Sequence, residues 1–133
     1  MRYKQALGAA LLAVLALTAT ACSGEAGPNA TSSVSVNTPA AEHAVEKGAA
    51  IIDVRTPEEY AAGHLKGAVN IDVEQADFTQ RVAKLPTDKT YVVYCHSGNR
   101  ATTASELMKK EGFEHVINGG GYEALLMTGL PKA

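Results

Sequence analysis

Four residues, His96, Ser97, Gly98 and Asn99, separate Cys95 from Arg100. A cysteine reacts as thiolate rather than thiol. Arginine is a permanent cation. Gly98 lets the backbone adopt a curve that a Cβ would hinder, so the loop amides are free to turn inward. A helix beginning just after the loop adds partial positive charge at its first turn. These features favour the thiolate, and the same donors would cradle an anionic substrate or a charged sulfur adduct. His96, Ser97 and Asn99 add polar groups positioned to touch substrate. The competing reading is a buried, inert cysteine, among the commonest fully buried residues, since Cys95 ends the apolar run Tyr91-Val-Val-Tyr94. So polar a loop is expected to face solvent, which argues instead for a reactive thiol.

The elements that must position this loop are legible in the apolar pattern. Thr90 to Tyr94 is a strand, and Ala101 to Glu111 a helix stopped by Gly112. Upstream, Val34-Ser-Val36 reads as a short edge strand. Asn37 or Thr38 caps a helix through Lys47, with Pro39 in its first turn and Gly48 at its end. Ala49 to Val54 is a continuous apolar strand of the kind buried on both faces. Thr56-Pro-Glu-Glu59 is a helix start that runs to Gly63. Ala68 to Ile71 is a strand, Glu74 to Leu85 an amphipathic helix closed by Pro86. His115 to Asn118 is the last strand, Gly119 to Gly121 a turn, and Tyr122 to Met127 a final helix. Alternating strands and helices predict an α/β fold of roughly five strands, mostly parallel, with helices on both faces. Sites in such folds lie beyond the carboxyl ends of the strands. Both Cys95 and Asp53-Val-Arg55 fall at such ends.

The chain has 133 residues, 46% hydrophobic and 20% charged, which suits one globular domain. Its first four residues are basic in character, and Ala6 to Leu17 is almost continuously apolar. That run is shorter than the ~20 residues of a membrane span and reads as an export signal over residues 1–21. Ala19-Thr-Ala-Cys22-Ser-Gly24 resembles a lipobox, in which Cys22 would receive a lipid and tether the chain to a membrane. Ala19-Thr-Ala21 also fits ordinary A-x-A cleavage. A lipidated Cys22 leaves Cys95 as the free thiol; an unlipidated one could pair with it. Residues 22–33 read as a flexible tether and residues 34–133 as the folded domain. Of 12 basic residues, loss of Arg2 and Lys4 leaves 10 against 14 acidic, a balance of −4. That gives no support for nucleic-acid binding. The histidines show no metal-ligand spacing. His64 reads as a loop-packing residue, and Arg55 with Glu59 as an i,i+4 ion pair. Asp53 is placed to hold the loop region by hydrogen bonds.

Cys95-His-Ser-Gly-Asn-Arg100 resembles the C-x-x-G-x-R loop of rhodanese (sulfurtransferase) domains. Ile52-Asp-Val-Arg-Thr-Pro-Glu-Glu-Tyr60 and Gly63-His-Leu-Lys-Gly-Ala-Val-Asn-Ile71 are similar to the family's other recurrent stretch. Gly112-Phe113, Val116, Asn118 and Gly120-Gly121 fit its closing segment, without the Trp many members carry there. The closing segment looks most like that of small exported rhodaneses of the phage-shock type. The resemblance spans Val34 to Pro131. It implies that Cys95 takes the outer sulfur of thiosulfate as a persulfide and passes it to cyanide or a thiol, from a small molecule or a thioredoxin-like partner. Arg100 and the loop amides would hold the oxyanion; Asp53 and Arg55 are read as supporting residues only. No metal or organic cofactor is implied, since the cysteine carries the atom. Related phosphatases place five residues between cysteine and arginine; four here imply a tighter cradle suited to a sulfur adduct. A non-catalytic persulfide carrier, or an inactive fold used for protein interaction, are the alternatives.

Overall fold

The computed structural model describes residues 34–133. The expected signal (1–21), the tether (22–33) and lipidation of Cys22 lie outside the described residues. Helix α1 (Thr38–Glu46) opens the fold, followed by β1 (Ala50–Asp53), α2 (Pro57–Ala62), β2 (Val69–Asn70) and α3 (Phe78–Val82). Strand β3 (Thr90–Cys95), α4 (Asn99–Lys110), β4 (His115–Gly121) and α5 (Tyr122–Met127) complete it. The strands form one parallel sheet in the order β2-β1-β3-β4. From β1 the chain steps one way to β2 and then crosses back to β3. The crevice therefore opens between the carboxyl ends of β1 and β3.

The pleat sorts side chains onto two faces. Tyr91, Val93 and Cys95 of β3 pack with Ile52, Phe78, Val82, Ala101, Ala104 and Met108, beneath α3 and α4. Val92 and Tyr94 pack on the other face with Ile51, Ala41, Tyr122 and Leu125, beneath α1 and α5. Helices cover both faces, as expected of a buried parallel sheet. Met108 and Leu125 are fully buried, and burying such a side chain contributes about 1.5–3 kcal/mol.

Four expectations change. The edge strand at Val34–Val36 reduces to a single parallel bridge, Val36 to Asn118. Asn37 ends it, because its side chain turns to cap α1 by accepting from Ala40 N at 3.1 Å, leaving four strands among the described residues. The helix expected from Glu74 begins only at Phe78. Asp72 diverts the chain first: its Oδ1 accepts from Glu74 N at 2.9 Å, a local side-chain turn that competes with helix. Helix α4 begins at Asn99, so Arg100 sits in its first turn rather than before it. Gly119 to Gly121 is the end of β4, not a turn. Tyr94 pairs with Gly120 and Cys95 with Gly121, across a register shift at Gly119. A Cβ on Gly121 would stand 2.5 Å from the His96 carbonyl oxygen. Glycine therefore lets the last strand lie directly beneath the cysteine loop.

Candidate active site

Strand β3 delivers Cys95 to the crevice on the α4 face. Its side chain is fully buried, while His96, Ser97 and Asn99 are exposed. The expectation of a solvent-facing loop holds for those residues; the sulfur itself lies beneath them. Gly98 adopts φ 102°, where an L side chain is strained. A Cβ there would also come within 3.0 Å of Val36 Cγ2. This conformation turns the Gly98 amide back onto the thiol, and it donates to Cys95 Sγ at 2.9 Å. The amides of His96, Ser97, Asn99 and Arg100 donate to no acceptor among the described residues. Sulfur, curved loop and open amides together can bind an anion over a nucleophile.

Arg100 is committed elsewhere. Its Nη1 donates to Glu59 Oε2 at 2.7 Å and its Nη2 to Glu59 Oε1 at 2.9 Å. Nη1 also faces Glu74 Oε2 at 3.5 Å. Glu59 is preset by its own helix: it completes a capping box with Thr56, whose side chain accepts from Glu59 N. The pair holds the Glu59 carboxyl down at about 2, through its hydrogen bonds to Arg100 first. The same bonds raise Arg100 further above its ordinary value, against the effect of burial. Direct oxyanion contact is thus left mainly to the loop amides. The expected Arg55–Glu59 pair does not form. Thr56 is extended and precedes the helix, so Arg55 shares no helical face with Glu59 and turns inward instead.

Arg55 and Asp53 lie on the other face of the sheet from Cys95. Arg55 Nη2 meets Asp53 Oδ2 at 2.7 Å and the Gly63 carbonyl at 2.7 Å, with both side chains almost wholly buried. Tyr94 donates to Asp53 Oδ2 at 2.7 Å and accepts from Leu65 N at 3.0 Å. Burial, chiefly, raises the Tyr94 hydroxyl, keeping it a donor; the Leu65 bond opposes this and Asp53 adds to it. The Arg55 guanidinium stacks 4.5 Å from the Tyr122 ring centre. Burial, the largest single influence, would lower Arg55, but hydrogen bonding and charge from Asp53 and Tyr94 together make the net shift upward. The network ties the ends of β1 and β3 to the 63–65 loop. Asp53 is hydrogen-bonded to Arg55 and to Tyr94, the residue before Cys95, and so serves the 63–65 loop on the face away from the sulfur. His64 packs as expected, stacked on Tyr60 with ring centres 3.7 Å apart. Glu74 was not among the residues singled out from sequence, because nothing local marks a carboxylate that meets its partner across a crevice.

Fold and cysteine loop together define a rhodanese domain, and the chain belongs to the rhodanese-like domain family, which matches residues 38–127. Among curated relatives, it is 38% identical over 78 residues to thiosulfate sulfurtransferase PspE of Escherichia coli (strain K12), covering 57% of this chain and 73% of that protein. It is 40% identical over 80 residues to thiosulfate sulfurtransferase GlpE of Pseudomonas fluorescens (strain SBW25), covering 59% and 71%. A solved structure described as rhodanese with anions from E. coli superposes with TM-score 0.54 at 34% identity, covering 62% of this chain and 94% of that one. Membership and fold accord with the expectation drawn from the Cys95 loop.

Proposed function

We propose that this chain is a thiosulfate:acceptor sulfurtransferase with Cys95 as its sulfur-carrying nucleophile, working outside the cytoplasm. The observation that carries the reading is Cys95 Sγ under the Gly98 amide at 2.9 Å, in a segment whose other amides have no acceptor among the described residues. The Cys95 thiolate attacks the outer sulfur of thiosulfate. The S–S bond of the donor breaks, its electron pair leaves with sulfite, and a Cys95 persulfide remains. The open amides of His96, Ser97, Asn99 and Arg100 stabilise the negative charge of donor and persulfide. Cyanide or an acceptor thiolate then attacks the terminal sulfur and restores the Cys95 thiolate. Sulfur travels on the cysteine, so no metal or organic cofactor is called for. Because the resting sulfur is fully buried, donor and acceptor reach it through movement of the loop or of the thiol. The leader supports export, and Cys22 supports a lipid anchor that would hold the domain at the membrane, facing the periplasm or cell exterior.

The test is the intact mass of the protein after thiosulfate treatment, followed by turnover with cyanide or a dithiol. One added sulfur on Cys95 and sustained turnover are expected, with both lost in Cys95→Ser. Loading without repeated turnover would make the domain a sulfur carrier. A Cys95→Ser variant with full activity would overturn the mechanism. The same mass measurement on protein from its native host reads the lipid on Cys22.

A further inference from the structure

The segments that follow β2, β1 and β3 bring Glu74, Glu59 and Arg100 together beside the cysteine loop. Glu59 binds the guanidinium with both oxygens, and Glu74 approaches Nη1 as well, at 3.5 Å. Two carboxylates therefore face one guanidinium, and the trio carries net negative charge. Glu74 is not there by chance of a long side chain: buried Asp72 fixes its backbone through the 2.9 Å bond to Glu74 N. Arg81 is engaged elsewhere, donating to the Asn70 carbonyl on β2, two strands from β3. Arg100 also lies within electrostatic reach of Cys95, which with Glu74 adds to the upward shift that Glu59 dominates.

We propose that Glu74 is a specificity-determining residue that restrains the site's preference for doubly charged sulfur donors over singly charged ones. The inference rests on the sulfurtransferase reading. Its physical basis is that the energy between a fixed charge and a donor scales with the donor's charge. Removing a carboxylate beside the cysteine loop should therefore help thiosulfate, a dianion, about twice as much in logarithmic terms as a monoanion. Glu59 is unsuited to the test, since it also positions Arg100 and caps α2. Glu74 is more than half exposed, so its substitution leaves the core intact.

The experiment compares kcat/KM for thiosulfate and for methanethiosulfonate, a monoanion that donates the same type of sulfur and releases methanesulfinate. Glu74→Gln should raise the thiosulfate value about threefold and the methanethiosulfonate value about 1.7-fold at low ionic strength. Glu74→Lys should change each by roughly the square of that factor. Both gains should collapse in ~0.5 M salt. Glu114→Gln, which makes the same change in net charge beside His115 at the opposite end of the sheet, should leave the ratio of the two donors unchanged. Equal factors for both donors, or the same ratio in Glu114→Gln, would overturn the role of Glu74 while leaving the sulfurtransferase reading standing. If neither donor adds sulfur to Cys95, both fall together.

Discussion

Glu59 and Arg100, 41 positions apart, meet edge to edge: Oε2 on Nη1 at 2.7 Å and Oε1 on Nη2 at 2.9 Å. The contact joins the first turns of α2 and α4 and so ties the loop after β1 to the cysteine loop after β3. Both side chains remain about a quarter to a third exposed, which limits what the pair contributes to stability.

Acid should dissolve this tie in a defined window. The Glu59 carboxyl lies at about 2, against an ordinary value of 4.5. A depressed folded-state value means that the stabilisation is fully present above the unfolded value and is lost as pH falls through the folded one. Glu59→Gln should cost about 1 kcal/mol at neutral pH. Urea midpoints of wild type and variant, measured down the pH scale, should converge between 4.5 and about 2. A constant gap across that range would contradict the assignment.

Gly121 should be intolerant of even a methyl group. A Cβ there meets the His96 carbonyl oxygen at 2.5 Å, a backbone atom in the cysteine loop. Relief requires the loop or the strand end to move. Gly121→Ala should destabilise by about 2–3 kcal/mol and slow single-turnover loading of Cys95 by roughly tenfold or more, as expected of ~1 Å misplacement near the chemistry. Gly119→Ala is the comparison, because its Cβ meets only side chains, all at 3.2 Å. It should cost stability with little effect on loading, read by stopped-flow or quenched mass measurements.

The buried Asp53–Arg55–Tyr94 network should behave as structure rather than chemistry. Asp53→Ala strands a buried guanidinium and should cost about 3–5 kcal/mol. Tyr94→Phe leaves the Leu65 amide and Asp53 without that partner and should cost about 1–3 kcal/mol. It is the milder variant if Asp53→Ala does not fold. In Tyr94→Phe, denaturation midpoints should fall while Cys95 still loads with sulfur, because Asp53 and Cys95 project to opposite faces. Loss of loading in a folded Tyr94→Phe would assign the network a direct part in the reaction.

Much of the site was legible because its parts are neighbours in the chain. Cys95, Gly98 and Arg100 lie within one short stretch of chain, and local conformational rules link a positive-φ glycine to a curved backbone. The strands and most helix caps follow from apolar runs and from Asn37, Thr56 and Pro57. Where the structure departs from these local patterns, a competing interaction or a helix boundary decides. Arg55 and Glu59 have i,i+4 spacing, but the rule holds only inside a helix, and Arg55 lies outside one. Gly119-Gly-Gly121 has a turn's composition, yet pairing with β3 beneath His96 keeps it extended. Glu74 has the look of a helix start, and the Asp72 side chain bends the chain first.

The sequence by itself determined the chemistry: a cysteine at a strand end, a glycine-bent loop, an α/β order of elements and membership of the rhodanese family. Each is encoded in residues close together in the chain, where sterics and hydrogen bonding act without knowledge of the rest. Only the tertiary structure decided that the Cys95 sulfur lies buried, that Arg100 is held by Glu59 and faced by Glu74, and that Asp53 and Arg55 serve the opposite face. Those outcomes depend on strand order and on the face to which each residue points. A parallel sheet sets both through contacts between segments tens of residues apart.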